Sequence, residues 1–209
     1  MNLENGTYDL EQFILKKHER EDHLTKKTSL EFNEEKICPF WEDHLLTVFN
    51  GDVDTVRYFQ EICGYSLLQY NPPEQVMFIL WGGEGKNGKS ETMKVLRKIH
   101  GEYGVNIESE SLASSRKNTE ARPRPDIVRL KGARLVTVTE PDKDVYLSEG
   151  LVKTFTGGDD TMTARGGLHQ DQIEFKPGGK IFLATNHNPK FSAGGKRDIP
   201  KSKEDSVHG

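Results

Sequence analysis

Apolar residues are concentrated in two stretches, residues 72–100 and 127–186, where strand-like runs alternate with helix-like periods. Val76-Met77-Phe78-Ile79-Leu80 is a continuous apolar run of strand length and reads as a buried strand. Beyond it Met93, Leu96 and Ile99 recur at helical spacing until Gly101 ends the run. Val105-Asn106-Ile107 reads as a short strand, and residues 135–139 have the β-branched character of another that ends in Glu140. A helix follows over 148–154, then the turn Gly157-Gly158-Asp159 and strands around 161–165 and 172–175. Lys180–Thr185 reads as a last buried strand, closed by Asn186. Strands alternating with helices predict an α/β fold with a largely parallel sheet.

The first third, residues 1–71, is polar and mostly helical in pattern. Asn5-Gly6 marks a turn, residues 9–36 mix both charge signs with isolated apolar positions, and Cys38-Pro39-Phe40-Trp41 opens a denser segment. Gly51-Asp52 can cap a helix with Val53, Val56, Phe59 and Ile62 on one face, ending near Gly64. Asn71-Pro72-Pro73 then breaks the chain. The division expected is a small helical N-terminal or oligomerisation region over 1–71, an α/β core over 72–190 and a polar, incomplete tail over 191–209.

Composition narrows this picture only slightly. Of the 209 residues 33% are hydrophobic and 30% charged, which confines the core to a few segments, and a net charge of −4 argues against a wholly basic nucleic-acid coat without excluding a local basic channel. Cys38 and Cys63 form no ligand or disulfide pattern; both are expected as packing residues in a reducing compartment. With no apolar run of spanning length and no signal-peptide pattern, no membrane association and a cytoplasmic location are expected.

The chemistry lies between the first core strand and its helix. The segment Trp81-Gly82-Gly83-Glu84-Gly85-Lys86-Asn87-Gly88-Lys89-Ser90 matches GxxxxGK(S/T), in the order strand, glycine loop, helix. Glycines at 83, 85 and 88 let successive N–H groups turn toward an anion at the positive end of a helix dipole. Lys89 would reach the β/γ-phosphates of a nucleoside triphosphate and Ser90 would hold Mg2+, with Glu84, Lys86 and Asn87 completing the loop. A hydrolase of this kind needs an acidic group at a neighbouring strand end, where Glu140 stands; it could polarise the attacking water or help hold the metal through a water. Asn186, at the next strand end, can act as a polar sensor of the γ-phosphate. The bland alternatives are a solvent-facing glutamate and a turn asparagine.

Taken in order, Asn2-Leu3-Glu4-Asn5-Gly6, Cys38-Pro39-Phe40-Trp41, the glycine-rich segment, Lys131-Gly132-Ala133-Arg134, Thr156-Gly157-Gly158-Asp159, Thr163-Ala164-Arg165 and Ala184-Thr185-Asn186-His187-Asn188-Pro189 resemble the phage and plasmid primase C-terminal helicases. These are superfamily 3 helicases of the AAA+ type, with poxvirus-like relatives. The resemblance runs from residue 1 to about 190. It implies an AAA+ type P-loop core and an ATP-dependent DNA helicase subunit for phage, prophage or plasmid replication, in a bacterial or phage-infected cell. It further implies a ring homo-oligomer, a hexamer, with single-stranded DNA in the pore, and a primase or replication initiator as a further partner. Within the core, Lys89 and Ser90 would be the phosphate and magnesium contacts, Glu140 the catalytic acid and Asn186 the sensor. Residues 153–165 resemble the lead into a DNA-contacting pore hairpin, which makes Lys153, Arg165, His169 and Lys176 the candidate backbone contacts.

Three departures qualify the resemblance. Thr139 stands where the family often has a second acidic residue, which shifts direct metal contact toward Ser90. The arginine-rich segment that reaches a neighbour's ATP is not present in its usual form, and Arg197, at compressed spacing, is the remaining candidate for its finger. The primase domain of longer relatives is also missing, so the chain reads as a fragment, a truncated product or a short homologue. Two other readings follow: a non-unwinding, nucleotide-binding regulatory short form, and a P-loop small-molecule kinase whose lid would use Arg116, Arg122, Arg124 and Arg129.

Overall fold

A computed structural model describes residues 1–68, 74–82, 87–113, 123–139, 146–157, 160–167 and 171–192. Its centre is a four-stranded, wholly parallel sheet of β4 (Phe78–Trp81), β5 (Gly104–Ile107), β6 (Leu135–Val138) and β10 (Lys180–Thr185), in the order β4-β10-β6-β5. The α/β class and the parallel sheet are as the alternating pattern predicts. In β6 and β10 alternate residues face opposite sides, as strand periodicity requires. Leu135 and Phe182 join a cluster with Leu45, Val56, Phe59, Met93 and Leu96, whereas Val136, Val138, Ile181 and Leu183 join a second cluster on the other face.

The first face is covered by α1 (Pro39–Val48), α2 (Val53–Tyr65) and α3 (Lys89–His100). Asp52 caps α2 by accepting a hydrogen bond from the Thr55 amide at 3.0 Å. On α3 the buried row is Lys89, Thr92, Met93, Leu96 and His100; His100 fills the place expected of Ile99, which is 37% exposed. The second face is covered by α4 (Pro125–Val128), β7 (Tyr146–Ser148), α5 (Glu149–Thr156), and the antiparallel pair β8 (Met162–Ala164) and β9 (Ile173–Phe175). A short β11 (Lys190–Ser192) pairs in parallel with β7. A sheet covered on both faces is the usual setting for parallel strands.

Three expectations are corrected. Residues 2–16 are not helical: they form the antiparallel strands β1 (Asn2–Leu3), β2 (Gly6–Asp9) and β3 (Ile14–Lys16). The second turn is held by the Asp9 carboxylate, which accepts from the Glu11 and Gln12 amides at 2.9 and 3.0 Å. Apart from a 3-10 turn at Arg20–Asp22, helix begins at Pro39, whose ring fits a first helical position. The strand before the glycine-rich segment is not buried: β4 is an edge strand among the described residues, and Ile79 and Trp81 are exposed. Cys38 is exposed just ahead of α1, while Cys63 packs against the core and burial pushes its thiol up to about 12. The break at 71–73 and the tail beyond 192 lie outside the described residues. Among the described residues no helix is long and apolar enough to cross a membrane.

Lys180, at the start of β10, is buried and donates to the carbonyls of Leu68 and Gly178 at 3.1 and 3.0 Å. Burial, with a smaller contribution from Arg134, lowers its pKa from 10.5 to about 8. Between those values the unfolded chain holds a proton that the folded chain has released, so this residue's contribution to stability rises with pH across the window. Relative to Lys180→Met, the parent chain should therefore gain in denaturant midpoint on going from about pH 7 to about pH 9.5. An unchanged difference between the two would show that burial does not shift this ammonium.

Candidate functional site

Two strand ends and one helix start converge at the carboxyl edge of the sheet. Because β10 is paired in register with β4, Thr185 lies beside Trp81, and the residues that follow them, Asn186 and Gly82, are neighbours; the Gly82 amide donates to Thr185 O at 3.3 Å. The α3 helix begins here after Gly88, whose φ of 77° is left-handed. Lys89, 8% exposed, donates from Nζ to Asn87 Oδ1 at 2.7 Å, Asn186 Oδ1 at 2.8 Å and Gly82 O at 3.2 Å. A buried ammonium is costly unless oxygens replace its water, and these three neutral oxygens do so. Ser90 is exposed in the first turn of α3.

Of the sequence candidates, Asn87, Gly88, Lys89, Ser90 and Asn186 are thus gathered at one place. Gly83, Glu84, Gly85, Lys86, Glu140, His169 and Arg197 lie outside the described residues. Thr139, next to Glu140 in the chain, is held firmly: its amide donates to Ile107 O at 3.0 Å, and its hydroxyl lies 3.0 Å from both Ile107 O and Glu108 Oε2, which share its one proton. The pairing of β5 with β6 therefore brings the Glu108 carboxylate beside the position where the helicase pattern carries an acid.

The DNA candidates are not brought together in the same way. Lys153 pairs with Glu149 at 2.6 Å along α5, an exposed helical pair of small energetic value. Arg165 and Lys176 sit at opposite ends of the β8–β9 ladder, separated by about 14 Å of strand. Arg124, one of the arginines that could imitate a kinase lid, is committed elsewhere: it pairs with Asp126 at 2.9 Å and donates to Ser111 O at 2.8 Å. Arg116 and Arg122 lie outside the described residues.

Sequence reasoning missed the support that α1 lends. His44 Nε2 is 3.0 Å from Thr92 Oγ1, and Thr92 donates to Gly88 O at 3.0 Å. Trp41 stacks on His44 with ring centroids 5.5 Å apart. Val48 and His44 pack where a Gly88 side chain would project. The signal was present: Trp41, His44 and Val48 share one face of a helix at spacings of three and four.

Several known proteins are similar to this chain. Residues 1–50 match the family described as "D5 N terminal like". A proposed helicase of Acanthamoeba polyphaga mimivirus is 29% identical over 199 residues, covering 92% of this chain and 20% of the relative. A proposed helicase of Frog virus 3 is 31% identical over 142 residues, covering 66% and 14%. A proposed primase of African swine fever virus is 29% identical over 115 residues, covering 55% and 12%. The chain is thus similar to viral proteins named as proposed helicases and primases. It spans a fifth or less of the length of these relatives. The apo structure of the NrS-1 C-terminal region shares the fold, with a TM-score of 0.50, 21% identity, and coverage of 73% of this chain and 33% of that one.

The contact between α1 and Gly88 is open to a direct test. An alanine there would strain a left-handed backbone and press on Val48 and His44, so Gly88→Ala should destabilise the fold by about 1–3 kcal/mol in chemical denaturation. His44→Ala should lower the midpoint by more than His44→Gln, which keeps a polar head for Thr92. A Gly88→Ala chain as stable as the parent would show that this junction relaxes freely.

Proposed function

We propose that this chain is the ATP-hydrolysing core of a superfamily 3 DNA helicase that serves viral, phage or plasmid replication. One observation carries the reading: the Lys89 ammonium bonded to Asn186 Oδ1 at 2.8 Å, which joins two motifs 97 residues apart. In a P-loop ATPase of this type the lysine grips the β/γ-phosphates and the asparagine senses the γ-phosphate. The three oxygens that Lys89 bonds among the described residues are neutral and can give way to phosphate oxygens when nucleotide arrives. The start of α3 supports the same reading, since the first-turn amides of a helix and its dipole favour an anion there.

Mg2+ prefers one or two protein oxygens plus substrate phosphates. The exposed Ser90 hydroxyl suits that donor set, with Glu140 contributing through a water. When bound, the ion would neutralise charge developing on the phosphates. Glu140 is assigned to polarising the attacking water, with Thr139 fixing the strand end before it. As the family resemblance implies, the working assembly is a ring, a hexamer, around single-stranded DNA, with a primase or initiator as a further partner. Lys153, Arg165, His169 and Lys176 are the proposed backbone contacts, and Arg197 is the proposed finger toward a neighbour's ATP.

Lys89→Ala should abolish nucleotide binding, whereas Glu140→Gln should bind ATP and fail to hydrolyse it. Asn186→Ala should keep most binding and lose about a hundredfold or more in turnover. Parental hydrolysis by the Glu140→Gln chain, measured by phosphate release, would remove that residue from the mechanism. Affinity for single-stranded DNA should fall with salt at a logarithmic slope of about −0.7 per phosphate contact. Replacing Lys153, Arg165 and Lys176 together by alanine should flatten that slope in a fluorescence-anisotropy titration; an unaltered slope would exclude these contacts.

A further inference from the structure

The carbonyl of Gly88 is held twice from within α3, since the amide and the hydroxyl of Thr92 both donate to it at 3.0 Å. The first is the ordinary bond of a helix to the fourth residue before, and the second is additional. With its one proton committed to Gly88 O, the hydroxyl can only accept from His44, whose Nε2 lies 3.0 Å away. The direction of the relay is therefore set: His44 Nε2–H donates to Thr92 Oγ1, and Thr92 Oγ1–H donates to Gly88 O. Thr92 is fully buried, so water does not compete for either bond. The imidazole is itself fixed by stacking on Trp41, with the ring planes 23° apart, and its Cε1 stands 3.2 Å from where a Cβ on Gly88 would lie.

What the relay holds still is a peptide plane. Glycine leaves its backbone more orientations than any other residue, and Gly88 sits where α3 begins. In a trans peptide the C=O and the following N–H point in opposite directions. A Gly88 carbonyl fixed along α3 therefore aims the Lys89 N–H out of the start of the helix, as one of the first-turn amides that suit an anion. We propose that His44 is a positioning residue for nucleotide phosphates: through Thr92 it holds the Gly88–Lys89 peptide in the orientation that presents the Lys89 amide to them. The inference rests on the nucleotide-binding reading of Lys89 and adds a dependence to it. His44 belongs to residues 1–50, the D5 N-terminal-like part, so phosphate affinity becomes a function of how α1 is docked. By linkage, bound nucleotide docks α1 more firmly in return.

The test separates the donor from the packing. Calorimetry measures binding of ATP and of inorganic tripolyphosphate, each with Mg2+, to the full chain and to His44→Phe, His44→Gln, Thr92→Val and His44→Phe/Thr92→Val, at a temperature where denaturation curves show every variant folded. His44→Phe keeps a ring against Trp41 and loses the donor, whereas His44→Gln brings an amide N–H close to the place of Nε2. His44→Phe and Thr92→Val should each weaken both ligands about three- to tenfold. The double variant should lose no more than either single one, because both break the same relay. His44→Gln should bind near the parental affinity, and His44→Ala serves in place of a His44→Phe chain that does not fold. Parental affinities in the folded single variants would overturn the proposal, leave nucleotide binding at Lys89 standing and reduce His44 to a packing residue. Additive losses in the double variant, or a loss confined to ATP, would also overturn it, since His44 would then act apart from Thr92 or on the nucleoside. Failure of the parent chain to bind either compound defeats the nucleotide reading, and this inference with it.

Discussion

A lysine ammonium withdrawn from water is the constraint around which this molecule is arranged. Lys89 is nearly inaccessible, and the oxygens that replace its hydration come from the end of β4, from the loop before α3 and from the end of β10. None of the three segments can move far without stripping the charge of a partner, at a cost of several kcal/mol for an unpaired buried ion. The arrangement depends on the sheet placing β10 directly against β4, although some hundred residues separate them along the chain. It also ties a catalytic proposal to a structural fact, since the group that would meet phosphate is held in place beforehand by the fold.

The second organising feature is the way the N-terminal segment grips α3 at both ends. At the far end Gly101 has a φ of 54°, and any side chain there would collide with Lys27 and Thr28. The Glu102 amide donates to Lys27 O at 2.9 Å, and the Tyr103 hydroxyl to Lys26 O at 2.6 Å. At the near end His44 and Val48 occupy the space over Gly88. Residues 1–50, the part that matches the D5 N-terminal-like family, thus touch both termini of the helix that carries Lys89.

Much of this was legible in the chain where the signal is local. The apolar run of Lys180–Thr185, the period of Met93 and Leu96, and the cap Asp52 all act within a few residues, and the structure keeps them. What was not legible depends on partners far away. That β4 lies at an edge follows from strand order, which a five-residue apolar run cannot reveal. The Glu108 carboxylate reaches Thr139 only because β5 and β6 pair, across 31 residues of sequence. The strands of residues 2–16 lack a clear alternation and are short, so the mixed charges around them read as helix surface until the Asp9 turn is seen. At the candidate site, the glycine-rich pattern and Asn186 were readable as types, whereas the buttress from Trp41 and His44 required knowing where α1 packs.

The double grip on α3 fixes its length as well as its position. The helix has 12 residues, which at a rise of about 1.5 Å each gives a rod of about 18 Å between two glycine-marked ends. Adding or removing one residue would shift one end by only about 1.5 Å but would turn it by about 100°, so that Lys89 could not face Asn186 while Gly101 faced Thr28. Substitutions on the outer face of α3 leave that phase intact, and single insertions or deletions do not. In this helix the count of residues is therefore a more stringent requirement than the identity of most of them.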